Sequence, residues 1–430
     1  MCGSETVFKE EIQKYEKNIL EDISRLVSCQ SIYDKNSIQI NAPFGQGVRQ
    51  AMDEFILIAK KLGFDVVDHD GYAISASLGN NVEHIGILGH LDVVDINSLE
   101  EWKSDPFVMS ARKGHIYGRG VNDDKGPLVA ALYAAKIVYD SSNNLNRSIK
   151  VIAGGAEETS WECMDYYFKN NPQPIYAFSP DGNFPIVNGE MGILQIKLVF
   201  SEKTNLNFSS FPERNFVCYE LLVDEKKYYG DKNLSRNPQR GSNAIFEFLN
   251  SKEYDQNFKN TNLFKFLNKY IVNDIRGKNL GIATKHEEML PLSVCAMSLN
   301  SHKNTEILLL DVRYPINITK HEIMDRIKRL SNEYNFEVSI LREMNPLFVN
   351  KNSDLIRALS RAYELVMNEK VELITKGGAS YARVLDCGIA FGATFPGEKP
   401  NPHMPNENMS IKSLKKACEI YCHAIEELTK

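Results

Sequence analysis

Short apolar runs that each break off into an acidic or histidine-bearing segment, with helical stretches between them, constrain this chain most. "HIGILGH" runs into "LDVVD", "SIKVIAGG" into "AEETSW", and "IYAFSP" into "DGNFP". Between them "PLVAALYAAKIVYD" and "WECMDYYFKN" space their apolar residues by three and four, as residues 6 to 28 and 47 to 62 also do, with Gly63 placed to cap the latter. Strands alternating with helices predict a sheet with helices on its faces, and ligands in such sheets gather where strands end. The acidic and histidine segments fall at those ends.

From about Gly192 the pattern changes to strand "GILQIKLVF", helix "GSNAIFEFLNS", strands "LPLSVCAMSLN" and "EILLLDVRYP", helix "KHEIMDRIKRLSNEY" and strand "FEVSILRE". This β-α-β-β-α-β order predicts a separate α+β domain of ferredoxin-like type, interrupted near 251 to 285 by a polar, Asn- and Lys-rich insertion. The first pattern resumes with helix "SDLIRALSRAYELVMN", the loop "KGGASYAR", strand "CGIAFGATF" and a helix from about Lys412. The expectation is α/β: one domain with a mixed, helix-flanked sheet (1–191 and 348–430) and a second inserted into it (192–347). A length of 430 residues suits two cores.

A net charge of -6 with both signs dispersed leaves no footprint for nucleic acid or an anionic membrane, so small molecules are the expected partners. Eight cysteines lack disulfide-framework or zinc-ribbon spacing and read as reduced. Cys418 and Cys422, beside His423, read as a half-buried helix stripe and not a metal site. No signal-peptide core or membrane-length apolar run is found, and a cytoplasmic location is expected.

His90 and Asp92, two apart after a strand, can point to one side, with Asp92 orienting the imidazole. In "GVNDDKGP", Asp123 and Asp124 are open to three readings: an acid/base pair, a metal site or a solvated turn. Glu157 and Glu158 can complement a helix N-terminus, or one can bind metal while the other acts as base. Asp181 and His403 taken singly are loop residues. Together these side chains form a mixed N/O donor set suited to zinc, manganese or cobalt, with one acid left over.

The order "GHLDVVD", W-x-x-DPF at 102 to 107, "YGRGVNDDKGP", "EETSW", "SPDGNFP", "GEMG", "DVRYP", "GGASYAR" and "FPGEKPNPHMPNE" closely resembles the peptidase V-like Xaa-His dipeptidases, in the superfamily of carnosinase, aminoacylase and carboxypeptidase G. The resemblance implies a zinc-exopeptidase-like catalytic domain, a lid domain and two divalent metal ions, zinc first. It makes His90 and Asp181 ligands of one metal, Glu158 and His403 of the other, and Asp123 the bridge. It also makes Asp92 the support of His90, Glu157 the general base and the Asp123–Asp124 peptide cis. Arg313, Gly378 and Ser380 would face the substrate carboxylate. Relatives of this kind can work as monomers, and a monomer or homodimer is expected here.

Two positions depart from the family pattern. Leu234 stands where a lid histidine is expected, and Ser209 where a lid asparagine is; neither His286 nor His302 has the spacing of a replacement. The expected activity is metal-dependent hydrolysis of dipeptides or small peptides by a water activated between two metals. The alternatives are hydrolysis of N-acyl amino acids, or metal binding with weak or no catalysis.

Overall fold

The computed structural model describes residues 2–96, 98–142, 145–202, 204–210, 215–251, 254 and 260–430. Residues 211–214 of "NFSSFPERN", and 252–253 and 255–259 of the polar stretch, lie outside the described residues. The chain divides into two compact units, Met1–Asn188 with Val349–Ile374 and Ser380–Lys430, and Gly189–Phe348 with Thr375–Ala379.

The first unit is built on a mixed sheet. Its middle is parallel, with Ser148–Gly154, His84–His90, Tyr176–Ser179 and Gly388–Ala390 side by side in that order. Antiparallel strands Ala73–Leu78 and Asp65–His69 extend one edge, and Ile186–Glu190 joins the other at Val187. All seven residues of His84–His90 are buried, as expected of a strand with neighbours on both sides and helices over it.

Helix Lys125–Ser141 packs against this sheet and against Ile411–Leu428, and is itself buried almost all round. Its run of Ala130, Ala131, Ala134 and Ala135 lets the neighbouring helix approach closely. Cys418 Sγ lies 3.3 Å from the Ala130 oxygen and Cys422 Sγ 3.9 Å from that of Ala134, so both thiols are packing groups at a helix interface. Helix Gln46–Lys61 packs on the antiparallel edge and ends at Leu62, with Gly63 at φ +85° donating to Lys60 O. A small antiparallel sheet, Asn408–Ser410, His115–Tyr117 and Ser110–Arg112, fastens the His403 segment to the chain leading into Asp123.

The second unit has a four-stranded antiparallel sheet in the order Ser293–His302, Thr305–Tyr314, Gly192–Phe200, Phe336–Met344. Helix Lys320–Tyr334 opens with a capping box: Glu322 N donates to Thr319 Oγ1, and Thr319 N to Glu322 Oε2. A three-stranded sheet, Phe208–Ser210, Glu220–Val223 and Lys226–Tyr229, was not legible in the sequence, because strands of three or four residues carry too little alternation. The stretch read as a polar insertion contains helix Asn262–Phe266 and a π-helical turn, Leu267–Ile271. These drive Leu263, Phe264, Phe266, Leu267, Tyr270 and Ile271 into the core. Among the described residues no helix is long and apolar enough to cross a membrane.

Phe266 is fully buried against Phe200, Phe336 and Tyr334. Phe266→Ala is expected to cost about 3–5 kcal/mol, lowering the urea midpoint of the second unit; an unchanged midpoint would deny this segment a core role.

Candidate metal and catalytic site

Three parallel strands deliver the site at their carboxyl ends. His90 is the last residue of its strand and has no solvent exposure. Its Nδ1 donates to the main-chain oxygen of Asp92 at 3.0 Å, so it is Nε2, 3.0 Å from Asp123 Oδ1, that faces the acidic cluster. The Asp92 carboxylate lies 3.6 Å from the same Nδ1 and accepts the amides of both Glu157 and Glu158, each at 3.0 Å. Asp92 therefore holds the glutamate turn as well as flanking the imidazole. Nothing in the sequence spacing indicated that second task.

Glu157 and Glu158 lie between strand Ser148–Gly154 and helix Glu162–Asn170. The helix starts at Glu162, four residues after Glu158, with Trp161 as N-cap, so the pair does not occupy its first turn. The Trp161 indole donates to Glu157 O at 2.6 Å and closes the turn. Asp181 follows Tyr176–Ser179, its amide donating to Ser179 Oγ at 3.4 Å. His403 has φ +62°, and its Nε2 stands 3.0 Å from Asp123 Oδ2 and 2.9 Å from Glu158 Oε1.

Three overlapping groups have donor atoms within 4.8 Å of one another: His90, Asp123 and Asp181; Asp123, Glu158 and His403; and His90, Glu157 and Glu158. Imidazole nitrogens and carboxylate oxygens at this spacing fit a divalent cation. The Asp123–Asp124 peptide is cis. Asp124 turns inward, where its Oδ2 accepts the His90 amide at 3.3 Å. A methyl group on Gly89 would come within 2.4 Å of that oxygen, so the strand needs glycine there.

Sequence reasoning missed Glu407. This fully buried carboxylate accepts the amides of Asn122 and Asp123 on Oε1 (2.9 and 3.1 Å), and the amide of Gly120 and Nη1 of Arg119 on Oε2 (3.0 and 2.8 Å). It ties the Asp123 turn to the segment carrying His403. The only signal was its place in "HMPNE", which says nothing of a partner 284 residues away. Lys125, also missed, buries its ammonium against the carbonyls of Leu26 and Cys29 (2.9 and 3.1 Å), securing the helix that follows Asp124.

The electrostatics are those of an anionic cluster wanting cations. Burial alone would lower His403, but its bonds to Asp123 and Glu158 outweigh this and push its pKa up to about 11. Burial, then the Asp123 charge, raises Glu158 to about 7. Glu157 lies well above the usual carboxylate range, chiefly through burial. His90 is likewise raised, burial being outweighed by its bonds to Asp123 and Asp92. These contacts favour the protonated forms of His90 and His403.

Of the residues expected to meet substrate, Arg313 and Gly378 belong to the second unit and Ser380 to the first, where it is buried and precedes the short helix Tyr381–Val384. Arg313 Nη1 donates to Gly377 O at 2.8 Å, while its Nε and Nη2 engage the Asp311 carboxylate. Leu234 forms a backbone bridge with Phe216, and Ser209 lies in a strand opposite Leu222. His286 Nδ1 accepts the amides of Glu288 and Met289, and His302 ends a hairpin strand.

The sequence profile of Peptidase family M20/M25/M40 matches residues 86–427. The chain belongs to this family. Its members are peptide hydrolases that work with a divalent metal. The chain is 30% identical over 466 aligned positions to a Bacillus subtilis (strain 168) protein named "Putative dipeptidase YtjP", covering 98% of this chain and 99% of the relative. Human carnosine dipeptidase 1 shares the fold at a TM-score of 0.60 and 15% identity, covering 99% and 98%. So does the Saccharomyces cerevisiae di-peptidase Dug1p, at 0.64 and 12%, covering 100% and 99%.

Glu407→Ala should weaken divalent-metal affinity about 10–100-fold, measured by competition with a chromophoric chelator; unchanged affinity would reduce Glu407 to a structural residue. Because ligation needs neutral imidazole, metal binding near pH 7 is expected to expel protons. Calorimetric titration in buffers of different ionisation enthalpy should show net proton release, decreasing as pH rises toward 11.

Proposed function

We propose that the first unit binds two divalent cations and hydrolyses dipeptides or other small peptides, with Glu157 as general base. The observation that carries this reading is the Asp123 carboxylate, whose two oxygens face His90 Nε2 and His403 Nε2, each at 3.0 Å. His90 and Asp181 would hold one cation, Glu158 and His403 the other, with Asp123 shared between them. The donor set suits zinc first, with manganese and cobalt as alternatives. Such cations supply polarisation of the scissile carbonyl and a lowered pKa for the attacking water.

The remaining work falls to the chain's own groups. Glu157, half-buried beside His90 and Glu158, is placed to take a proton from water and pass it to the leaving amine. Asp92 fixes the backbone of both glutamates, so the base and its neighbouring ligand keep one relative orientation. The His90 proton stays on Nδ1 against the Asp92 carbonyl. The dipeptidase names of YtjP, carnosine dipeptidase 1 and Dug1p support the substrate class.

Leu234 favours a second reading, weak turnover at an otherwise complete site, because its side chain has no hydrogen-bonding atom where the resemblance expects histidine. Glu157→Gln should lower kcat for dipeptides about 10²–10⁴-fold while retaining the metals. Full turnover by that variant would overturn the proposed base. Leu234→His is expected to raise kcat toward the hundredfold or more that one transition-state donor typically contributes, about 10²–10³; no gain would exclude the second reading.

A further inference from the structure

We propose that Trp102 is a positioning residue for His403, acting through Arg119 and residues 404–407, an inference that rests on the two-metal reading above and says what holds one of its donors. His90, Glu158 and Asp181 follow parallel strands, and Asp123 precedes helix Lys125–Ser141. His403 has neither support. Its side chain is 53% exposed, so packing does not fix it. It lies in a loop closed by Asn408, whose N donates to Pro400 O at 2.8 Å and whose Nδ2 donates to Asn406 O at 3.2 Å.

The outer side of this loop is held by a segment 303 residues earlier in the chain. Asn406 Oδ1 accepts the amide of Lys103 at 3.0 Å, and its Nδ2 donates to Glu101 O at 2.9 Å, so one side chain grips the main chain on both sides of Trp102. The Trp102 ring lies against Arg119, whose Cζ is 5.3 Å from the ring centroid. Arg119 N donates to Pro106 O at 2.8 Å, which ties the arginine to the same segment. Its Nη1 donates to Glu407 Oε2 at 2.8 Å and reaches Met404 O, the carbonyl next after His403, at 3.5 Å.

The aromatic face has a specific task there. Arg119 is only 1% exposed, and a buried charge is costly unless it is paired. Glu407 engages Nη1, but Nε and Nη2 have no hydrogen-bond partner among the described residues. The indole face offsets that part of the charge by cation–π attraction, which strengthens away from water. The Trp102 Nε1 is itself buried without a hydrogen-bond partner, so the residue contributes its face and not its N–H. Without that face Arg119 would turn toward water and withdraw from Met404 and Glu407. Glu407 would keep its three amides on the Asp123 turn, and the strand-end donors would keep their places. The His403 loop alone would lose its hold.

The test titrates zinc into the metal-free full chain against a chromophoric chelator and resolves the two binding steps. Trp102→Leu should weaken one step about 10–100-fold, as loss of an outer support of a ligand does, and leave the other unchanged. Asn406→Ala, which removes the bonds flanking Trp102, should act in the same way and carries the test should Trp102→Leu not fold. Trp102→Phe, which keeps an aromatic face, should recover most of the loss. In a His403→Ala background Trp102→Leu should add nothing, because both changes act on one donor. Equal weakening of both steps, an effect additive with His403→Ala, or wild-type affinity in Trp102→Leu and Asn406→Ala would each overturn the proposal. Should the wild type bind fewer than two zinc ions, the two-metal reading fails separately, and the His403 imidazole ¹⁵N resonances of the metal-free protein decide on Trp102. They report the contacts of Nε2 with Asp123 and Glu158. A shift in Trp102→Leu toward the values of an exposed histidine supports the proposal, and no shift overturns it.

Discussion

A single carboxylate approached by two imidazoles is the interaction on which the rest of the first unit depends. Asp123 presents one oxygen to His90 and the other to His403, residues 313 positions apart in the chain. Left as bare charge, this cluster of half-buried acids would be destabilising. In the metal-free protein histidine protons offset it, as the raised His403 and His90 show. Divalent cations at the same donor atoms would replace those protons with more charge.

Much of the surrounding structure serves to hold that carboxylate still. Glu407 accepts three amides from the turn that carries it, and the neighbouring Asp124 accepts the His90 amide. The small sheet of Asn408–Ser410 and His115–Tyr117 fastens the His403 segment to the same turn. Parallel strands bring the remaining donors to one edge, because each ends in a loop at the same end of the sheet. Asp92 links two of these strand ends by accepting the amides of Glu157 and Glu158.

The second unit follows a different logic. Its sheet and helices bury a large aromatic cluster, to which a segment that reads as polar contributes Phe264, Phe266 and Tyr270. Lysines and asparagines between those aromatics, such as Lys265, Asn268 and Lys269, average the hydrophobicity down. The helical and π-helical turns sort them outward, and a linear window cannot see that sorting. The same unit seats the Arg313 guanidinium on the carbonyl of Gly377, 64 residues further along the chain.

The sequence by itself determined the fold class, because the strand and helix periods and their order follow from local spacing of apolar residues. Through the family resemblance it also singled out the histidines and carboxylates whose donor atoms the structure brings within 4.8 Å of one another. Only the tertiary structure decided which atoms meet: that Nε2 of His90 faces Asp123, that Asp92 spends its carboxylate on two amides, and that Glu407 holds the Asp123 turn. It also decided that Arg313 is compensated by Asp311. The physical reason is the same in each case. Periodicity is a property of neighbours along the chain, whereas hydrogen bonds and charge compensation depend on distances between segments that no local spacing encodes.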